Sequence, residues 1–284
     1  MSVKLKLMDI SELPLSAKDE IANYIKEDTL EQVNQLLKTV NPKISFYTKY
    51  GKRFLDIIFG TIGVILGLPF NIIIAAITYF DVGCPIIFKQ QRIGLNGKKF
   101  TLYKFRNMTN EVDANGELLP AKQRLTRWGK FVRKTSLDEL LNFISIVKGD
   151  MSIIGPRPLV DYYLERLNNR HRAIYLVKPG LECPTLKRAG YSLSWQERLD
   201  NYVWYVENCS LRIDICLCFR VLQTALNRKS TSIRANAQQG SIMGYDFDGK
   251  IIYSKEVPEK YVERFCNVHG YACLEEAIEE RKKL

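Results

Sequence analysis

The sequence of 284 residues predicts an α+β protein that is attached to a membrane. One long apolar run, Phe54–Phe80, contains a single ionisable residue, Asp56. In several other segments apolar residues recur at helical spacing, which is typical of amphipathic helices. Three short apolar stretches are typical of strands in a small sheet: Ile86–Phe88, Phe100–Tyr103 and Met151–Ile154. These features together predict a membrane helix, amphipathic surface helices and a small sheet.

The composition narrows the classes of function. The net charge is +11, which favours an anionic partner such as nucleic acid, anionic lipid or a nucleotide-sugar. No basic run with interleaved aromatic residues stands out, so no nucleic-acid partner is expected. The seven cysteines include no C-x-x-C pair, which indicates reduced thiols in the cytosol, and with two histidines a histidine-based zinc site is not expected. The first 50 residues lack the apolar core of a secretory signal.

Composition divides the chain into an N-terminal helical extension, a membrane helix, a catalytic region and a C-terminal appendix. These regions are 1–48, 49–83, 84–228 and 229–284. In the N-terminal extension, apolar residues from Leu30 to Val40 share one helical face after a weaker helix around Ile21 and Ile25, and this element is a candidate for packing or for forming a homodimer. Further helices are predicted at 159–170, 195–208, Pro258–His269 and Leu274–Lys283.

The apolar run is long enough to span a bilayer, so a transmembrane helix is the default interpretation. However, Pro69 lies in the middle of the run, where it removes a backbone N–H and clashes with the preceding turn. Basic residues also flank the run on both sides, at Lys52 and Arg53 before it and at Lys89 and Arg92 after it. The positive-inside rule places basic flanks on one side of a membrane. The residues alone therefore leave two alternatives, a spanning helix and a re-entrant helix that breaks at Pro69.

The candidate site lies between Arg133 and Pro158 in the segment RKTSLDELLNFISIVKGDMSIIGPRP. Its Ser-Leu-Asp-Glu sequence has the S-x-x-E pattern of a capping box, which predicts that a helix starts at Ser136. In the first turn of that helix, Asp138 and Glu139 are favoured by unpaired N–H groups and by the helix dipole. Later apolar residues recur at i, i+3, i+4 and i+7, which predicts one face toward a core: Leu137, Leu140, Leu141, Ile144 and Val147.

Two interpretations of Asp138 and Glu139 are open at this point. In the first, the pair only belongs to a well-capped helix start. In the second, the pair belongs to a site, because the rigid loop Gly155–Pro158 holds Arg157 between two prolines and Arg133 lies three residues before Ser136. Guanidinium groups suit phosphate, and carboxylates suit a hard divalent cation. The second interpretation predicts a site for a divalent metal ion and a phosphorylated substrate.

Several motifs occur in a fixed order: the basic Lys52-Arg53, an apolar helix with proline, QRIGLNGKKFTLYKFRNM, RKTSLDEL, KGDMSIIGPRPL and WYVENCSLRIDI. In this order they resemble the bacterial sugar transferases called monotopic phosphoglycosyl transferases. The resemblance covers the segment from Tyr50 to Leu226. The motifs SLDEL and GDMSIIGPRPL at this separation are highly specific together. In length, the chain is similar to the compact members of this family.

The resemblance implies a reaction, the transfer of a sugar-1-phosphate from a UDP-sugar to polyprenyl phosphate, such as undecaprenyl phosphate, with release of UMP. It implies Mg²⁺ as cofactor, held by Asp138 and Glu139. Asp138 is then the nucleophile that forms a covalent phosphosugar intermediate, and Glu139 holds the metal or assists the acceptor. The residues that match the phosphate-binding positions of the family are Arg133, Arg157, Lys104 and Arg106.

The resemblance also implies a topology. The apolar helix is re-entrant with its break at Pro69, so that membrane lipid surrounds it in one leaflet and both chain ends lie in the cytosol. The expected location is the cytosolic face of the bacterial cytoplasmic (inner) membrane. The expected fold is an α+β arrangement in which amphipathic helices lie at the membrane surface and a small sheet carries the site.

The sequence departs from the family pattern at a few positions. After Lys178-Pro179-Gly180 the usual continuation is replaced by Leu181–Lys187, and Tyr202 stands where an aspartate is common. These positions are expected to handle the donor, so they bear on which sugar is transferred and, to a smaller degree, on activity. A second hypothesis is a membrane-associated scaffold of glycan assembly with reduced or no activity, which keeps the site and uses its N- and C-terminal segments to recruit other glycan-assembly enzymes. Release of UMP from UDP-sugars by membrane fractions distinguishes the enzyme from the scaffold.

Overall fold

The computed structural model describes residues 6–113, 118–182, 194–226 and 240–283. In these ranges, helices are combined with small two-stranded sheets, which confirms the α+β prediction. The helices are α1 (Leu15–Leu36), α2 (Lys52–Val82), α3 (Ala121–Arg124), α4 (Arg127–Thr135), α5 (Asn142–Lys148), α6 (Asn169–Arg172), α7 (Trp195–Asn208), α8 (Leu211–Leu226), α9 (Glu259–His269) and α10 (Leu274–Lys283). The strands are β1 (Leu7–Met8), β2 (Ile87–Ile93), β3 (Lys99–Phe105), β4 (Ser152–Ile154), β5 (Gly180–Glu182), β6 (Ile242–Tyr245), β7 (Ile251–Tyr253) and β8 (Val257–Pro258).

The membrane segment is helix α2. Together with the helical turn before it, the segment Tyr47–Val82 is long and apolar enough to cross a membrane. Large apolar side chains along it are exposed, as expected where lipid replaces water around the helix. Pro69 lies inside α2, and the chain is helical on both sides of it. A proline removes only one backbone hydrogen bond of the ladder, so the turns on either side stay helical.

Both halves of α2 contact the catalytic region. Near the start of α2, the Arg53 guanidinium donates to two carbonyl oxygens in the last turn of α5, at 2.6 and 2.7 Å. Near its end, Trp128 Nε1 of α4 donates to Thr78 Oγ1 at 3.2 Å. Between these contacts, seven of the nine residues from 65 to 73 are exposed. The two ends of the helix are therefore attached to the same region of the protein, and its middle is not covered by it.

The catalytic region is built around two small sheets. Strands β2 and β3 form an antiparallel hairpin, and β4 pairs in parallel with β5. Four apolar side chains, Phe100, Leu102, Ile146 and Met151, form a cluster that joins the hairpin, α5 and the residue before β4. This cluster holds the hairpin against the segment that contains the predicted site residues.

The N- and C-terminal segments fold together, and we call residues 6–36 and 240–283 the terminal module. Strand β1 pairs with β8, and α1 packs against β6 and α9. One buried cluster contains side chains from both segments, including Ile21, Ile25, Met243 and Phe265. A second cluster joins the end of α1 and the β6–β7 hairpin to the catalytic region. The two terminal segments thus form one unit that packs on the catalytic region.

The predicted strands are present as β2, β3 and β4, and the helices predicted at 195–208, Pro258–His269 and Leu274–Lys283 are present as α7, α9 and α10. The helix predicted at 159–170 is wrong, because this segment holds only a single turn at Asp161–Tyr163 and the start of α6. Asn168 begins α6 by accepting a hydrogen bond from His171 N, which sets a new helix start there. The two helices predicted in the N-terminal extension are one helix, α1.

The prediction that a helix starts at Ser136 is also wrong. Ser136 has a φ of 58° in the left-handed region, and its N–H donates to the last carbonyls of α4. It therefore ends one helix instead of starting the next. The residues Leu137–Glu139 form a single 3-10 turn, and α5 begins only at Asn142. The Ser136 side chain makes no capping hydrogen bond, and the Glu139 carboxylate binds cations of other elements instead.

The predicted apolar face of this helix is only partly correct. Ile144, which was predicted to face a core, is 46% exposed. The buried side chains of α5 are Asn142, Ser145 and Ile146, two of which are polar. The regular spacing predicted one long helix, whereas the turn and the later helix start change which side chains point inward.

Candidate active site

The predicted site residues come from three separate elements. Lys104 lies near the end of β3, Asp138 and Glu139 lie in the turn between α4 and α5, and Arg157 lies in the loop after β4. Lys104 Nζ contacts Glu139 Oε1 at 2.5 Å, and Arg157 Nη2 contacts the same oxygen at 3.2 Å. The structure therefore brings four of the predicted residues together in one cluster.

The left-handed turn at Ser136 explains how two consecutive carboxylates enter one site. A single turn follows it, so the chain doubles back immediately after α4. As a result Asp138 is only 5% exposed, and the side chain of Glu139 is 20% exposed. Both carboxylates contact the end of the hairpin, because Lys104 of β3 binds Glu139 and Asn107, two residues after β3, binds Asp138.

The environment of Glu139 favours its ionised form. Burial acts to raise the pKa of the Glu139 carboxyl, but the charges and hydrogen bonds of Arg157 and Lys104 outweigh burial, so that this pKa lies below its ordinary value. Two cations that share one carboxylate oxygen also hold that side chain in place. Glu139 is therefore a fixed anion near neutral pH.

Asp138 has a different environment. Burial raises the pKa of its carboxyl above the ordinary value, the negative charge of Glu139 adds to this effect, and the charges of Lys104 and Arg133 oppose it. Its hydrogen bond to another side chain comes from Asn107 Nδ2, which donates to Oδ2 at 3.3 Å. Because Asp138 forms no direct ion pair with any described residue, its carboxylate is less neutralised than that of Glu139, and this is the more suitable state for a nucleophile.

Two of the predicted phosphate-binding residues lie outside this cluster of contacts. Arg133 is an exposed residue in the last turn of α4, close enough to Asp138 to influence its pKa. Arg106 is 8% exposed, and its guanidinium donates to the carbonyl oxygens of Gly83 and Cys84 just after α2. Arg106 therefore attaches the end of the membrane helix to β3, and its position gives no support to the predicted phosphate contact.

The loop that carries Arg157 is held by backbone contacts on two sides. Gly155 lies so close to the β5 side that a Cβ there would be 2.6 Å from Lys178 O, so no side chain fits at this position. On the other side, Arg92 Nη1 donates to Pro158 O at 3.0 Å, and Ile93 N donates to Leu159 O at 3.1 Å. The guanidinium of Arg157 therefore extends from a fixed backbone.

Asn107 is a site residue that the sequence did not predict. Its carbonyl oxygen lies where a Cβ on Gly129 would be, at only 2.0 Å, so the N-terminal turn of α4 packs directly against it. Thr126, the N-cap of that helix, donates to Asp81 near the end of α2 at 2.6 Å. The carboxylate of Asp138 is thus connected to the membrane helix through Asn107 and the start of α4.

Arg92 and Asn142 are two further residues that the sequence did not predict to belong to the site. Together with Lys104, Glu139 and Arg157 they line one depression. For Arg92 a signal was available. The register of the hairpin places Phe88 opposite Lys104 and Arg92 opposite Phe100, so that strand alternation puts Arg92 and Lys104 on one face. For Asn142 no such signal existed, because its inward direction depends on the late start of α5.

The residues present fit a magnesium ion. No group of three or more His, Cys, Asp or Glu side chains is close enough to hold a metal within the described ranges. However, the buried Asn142 Oδ1 has no hydrogen-bond partner among the described residues, and Asn142 lines the same depression as Glu139. Two carboxylates and an amide oxygen are the hard ligands that Mg²⁺ prefers, and this ion usually keeps several waters or substrate oxygens as its remaining ligands.

The fold and the site together define a membrane-attached protein with a carboxylate pair and a cluster of cations suited to phosphate. The family model described as bacterial sugar transferase matches residues 47–228, which is more than half of the chain. The protein therefore belongs to the bacterial sugar transferase family. The matched segment runs from the start of the membrane segment to the end of α8 and includes every residue of the site.

Named relatives agree with this assignment. The chain is 43% identical over 147 residues to the uncharacterized sugar transferase EpsL of Bacillus subtilis, covering 51% of this chain and 73% of that protein. It is 32% identical over 210 residues to an undecaprenyl-phosphate galactose phosphotransferase of Salmonella typhimurium, covering 68% and 44%. It is 31% identical over 195 residues to a UDP-glucose:undecaprenyl-phosphate glucose-1-phosphate transferase of Klebsiella pneumoniae, covering 63% and 41%. The chain thus spans less than half the length of these last two proteins.

The departures from the family pattern have two outcomes. Tyr202 is fully buried in the cluster that joins α7 to the terminal module, so its side chain packs in the hydrophobic core. Of the segment Leu181–Lys187, positions 183–187 lie outside the described residues.

Proposed function

We propose that the protein transfers a sugar-1-phosphate from a UDP-sugar to a polyprenyl phosphate such as undecaprenyl phosphate and releases UMP. The observation that carries this proposal is the contrast between two adjacent carboxylates. Glu139 is neutralised by Lys104 and Arg157, whereas Asp138 is buried without a direct cation partner in the part of the chain that the structure describes. The names of the Salmonella and Klebsiella relatives, an undecaprenyl-phosphate galactose phosphotransferase and a UDP-glucose:undecaprenyl-phosphate glucose-1-phosphate transferase, support the same reaction class.

In the first step, an Asp138 carboxylate oxygen attacks the phosphorus that carries the sugar. A bond forms between this oxygen and phosphorus, and the bond from phosphorus to the bridging oxygen breaks, so that UMP leaves with the electron pair. In the second step, an oxygen of the polyprenyl phosphate attacks the same phosphorus and the Asp138 carboxylate is released. Covalent catalysis divides the transfer into two steps, so the soluble donor and the lipid acceptor need not be bound together.

The cations of the site reduce the repulsion between an anionic nucleophile and an anionic diphosphate. Arg157 is suited to bind two phosphate oxygens at once, because its side chain remains 47% exposed although it contacts Glu139. Lys104 places a charge near both carboxylates and favours ionised Asp138. Fixed charges of this kind stabilise a phosphoryl transition state without reorganising.

Asp138, Glu139 and Asn142 are the residues that would hold Mg²⁺. When bound, the ion would neutralise charge on the diphosphate. In that arrangement Asn142 supplies an oxygen that has no hydrogen-bond partner in the described part of the protein.

For the membrane segment, we propose a re-entrant helix that bends near Pro69 and returns to the cytosolic face of the bacterial cytoplasmic membrane. Both ends of α2 contact the catalytic region, and the residues around the proline are exposed on most sides. A straight helix that crosses the bilayer has its two ends on opposite sides. Single cysteines placed near Lys43 and near Lys98 in a thiol-free background test this topology. Labelling of both sites from the cytosolic side only is expected, and labelling of either one from the far side contradicts it.

The covalent intermediate can be tested by trapping. Purified protein is incubated with a panel of UDP-sugars and Mg²⁺ without the lipid acceptor, and its peptides are analysed by mass spectrometry. We expect release of UMP and a phosphosugar adduct on the peptide that contains Asp138. Turnover with the adduct mapped to Glu139 contradicts the assigned roles. Absence of UMP release with every donor, with and without polyprenyl phosphate, favours the scaffold hypothesis instead.

A further inference from the structure

A half-buried arginine beside the candidate site has no acidic partner among the residues that the structure describes. Arg92 belongs to β2, and its two terminal nitrogens donate to Pro158 O at 3.0 Å and to Gln90 Oε1 at 2.6 Å. Both acceptors are uncharged, and Arg92 forms no ion pair with a carboxylate in the described ranges of the chain. A cation removed from water without a counter-charge is unfavourable, and proteins rarely keep one without a use.

The hydrogen-bonding capacity of Arg92 is also only partly used. Its Nε–H group is buried and has no partner among the described residues. Buried polar groups are nearly always paired, and this unpaired donor belongs to a residue that lines the depression, where a ligand can supply the acceptor. Two of the five N–H donors of the guanidinium are occupied, which leaves Nε–H and a neighbouring terminal N–H able to bind two oxygens of one anion.

The charge balance of the depression favours an anion. Its lining includes three cations, Arg92, Lys104 and Arg157, around the single ionised carboxylate of Glu139. Burial and the neighbouring charge of Arg157 lower the pKa of Arg92 from its ordinary value, which shows how closely the positive charges lie together. An anionic ligand relieves this repulsion.

We propose that Arg92 binds a phosphate group of a substrate as the third cation of the site. The proposal rests on the proposed function, because it takes the depression to be the place where phosphorylated substrates react. The shared chemistry is a phosphate, which comes either from the diphosphate of the nucleotide-sugar or from the lipid acceptor. Arg92 also holds the backbone of the loop that carries Arg157, so direct binding and loop positioning must be separated by experiment.

The test measures binding of UDP, in the presence of Mg²⁺, to the full chain in detergent and compares wild type with Arg92→Gln and Arg92→Lys. Lys98→Gln is the matched control, because it removes the same charge from an exposed position of the same hairpin. Loss of a charged hydrogen bond to phosphate predicts that Arg92→Gln weakens binding about 10- to 100-fold. Arg92→Lys keeps the charge but loses the planar guanidinium, so its affinity for UDP is expected to lie between those of Arg92→Gln and wild type. The affinity of Lys98→Gln is expected to match that of wild type. Thermal unfolding identifies any variant that fails to fold. If Arg92→Gln does not fold, UDP binding by Arg92→Lys is compared with wild type instead.

A second arm measures the apparent KM for polyprenyl phosphate with the same variants. If Arg92→Gln weakens UDP binding tenfold or more and leaves the KM for polyprenyl phosphate unchanged, Arg92 binds the donor diphosphate. If it raises only the KM for polyprenyl phosphate, Arg92 binds the acceptor. Unchanged values in both arms overturn the proposal. The UDP arm needs no turnover, so a wild-type protein that binds UDP through Arg92 but forms no adduct would refute the proposed reaction and leave the phosphate site supported.

A double-variant comparison separates direct binding from loop positioning. If Arg92 acts only by holding the Arg157 loop, Arg92→Gln has no further effect once Arg157→Gln is present. If Arg92 contacts the phosphate itself, Arg92→Gln still weakens UDP binding by several-fold in the Arg157→Gln background. Complete loss of the Arg92 effect in the Arg157→Gln background overturns direct binding.

Discussion

The candidate active site and the contact between the terminal module and the catalytic region contain similar polar groups, but they satisfy them differently. In the contact, the buried Arg166 pairs with Asp19. Both ring nitrogens of the buried His171 also have partners, Tyr245 OH at 2.7 Å and Asp200 Oδ1 at 3.3 Å. These polar side chains join the C-terminal segment, the N-terminal helix and the catalytic region with their hydrogen bonds made.

In the active site the corresponding groups are left partly unused. Arg92 Nε and Asn142 Oδ1 are buried without partners within the described ranges. Two cations share the one carboxylate of Glu139, and the neighbouring Asp138 has an amide as its side-chain partner. A complete buried network adds specificity to a fold, whereas a buried group without a partner is available to a ligand where it belongs to a residue that lines a depression. Arg92 and Asn142 line the depression of the candidate site, and Arg166 and His171 do not.

The largest expected effect follows from replacing Asp138 by Asn. The amide cannot form the phosphosugar ester, so turnover is expected to fall by more than about 10³-fold, as for other deletions of a covalent nucleophile. The fold is expected to survive, because an asparagine keeps the shape of the buried side chain. UMP release and thermal unfolding are measured on the same sample. A near-normal rate for Asp138→Asn contradicts its role as nucleophile.

The next effect concerns Asn107, which connects Asp138 to the start of α4. Asn107→Ala removes a hydrogen bond to a carboxylate, and such bonds contribute about 1.5–3 kcal/mol, so we expect kcat for adduct formation to fall about 10- to 100-fold. The KM for UDP-sugar is expected to change little, since the described contacts of Asn107 do not include the cation cluster. Rapid-quench measurement of the first step separates the two constants. An effect on KM alone contradicts a positioning role.

A structural counterpart tests the other side of the comparison. Arg166→Leu leaves the buried carbonyl oxygen of Ile242 without its partner and removes the pair with Asp19, so we expect the free energy of unfolding to fall by about 1–3 kcal/mol. The activity of the folded fraction is expected to be unchanged. Arg264→Leu is the control, because its ion pair with Glu27 is exposed and exposed pairs contribute about 0–1 kcal/mol. Equal destabilisation by the two variants contradicts the structural role of Arg166.

The sequence predicted those parts of the fold and site that depend on local pattern. The apolar run, the β2–β3 hairpin, strand β4 and the two helices of the C-terminal appendix follow from periodicity and turn residues. The positions of Asp138, Glu139, Lys104 and Arg157 followed from motif resemblance, and the structure brings them together.

The parts that the sequence did not predict depend on contacts between distant residues. The capping box predicted at Ser136 does not form, and the Glu139 carboxylate instead binds Lys104 and Arg157, which are distant in the sequence. No local sequence pattern predicts that the N-terminal segment packs on the C-terminal segment, since the paired strands β1 and β8 lie near opposite ends of the chain. Arg106 matched a family motif, but its contacts are with the end of α2, which only the fold reveals.

The smallest expected effect is a shift in the pH dependence of the first step. Asp138 must be ionised to attack phosphorus, and burial already raises the pKa of its carboxyl. The rate is therefore expected to fall as the pH decreases through this raised pKa. The charge of Lys104 lowers the pKa of Asp138 and opposes burial, so removing that charge raises the pKa further. Lys104→Gln is thus expected to move the acid limb of kcat/KM to higher pH.

The expected displacement of this limb is about one pH unit, the lower end of the effect of a neighbouring cation on a carboxyl group. Lys99→Gln is the matched control, since Lys99 lies on the same strand and pairs with Asp161 at the surface, at 3.0 Å. Its acid limb is expected to coincide with that of wild type, which shows that a change in net charge alone has no such effect. Because kcat/KM reports the free enzyme, the profile measures the carboxyl before substrate binds. A limb that stays in place, or moves to lower pH, in Lys104→Gln shows that the group controlling the rate is not the Asp138 carboxyl.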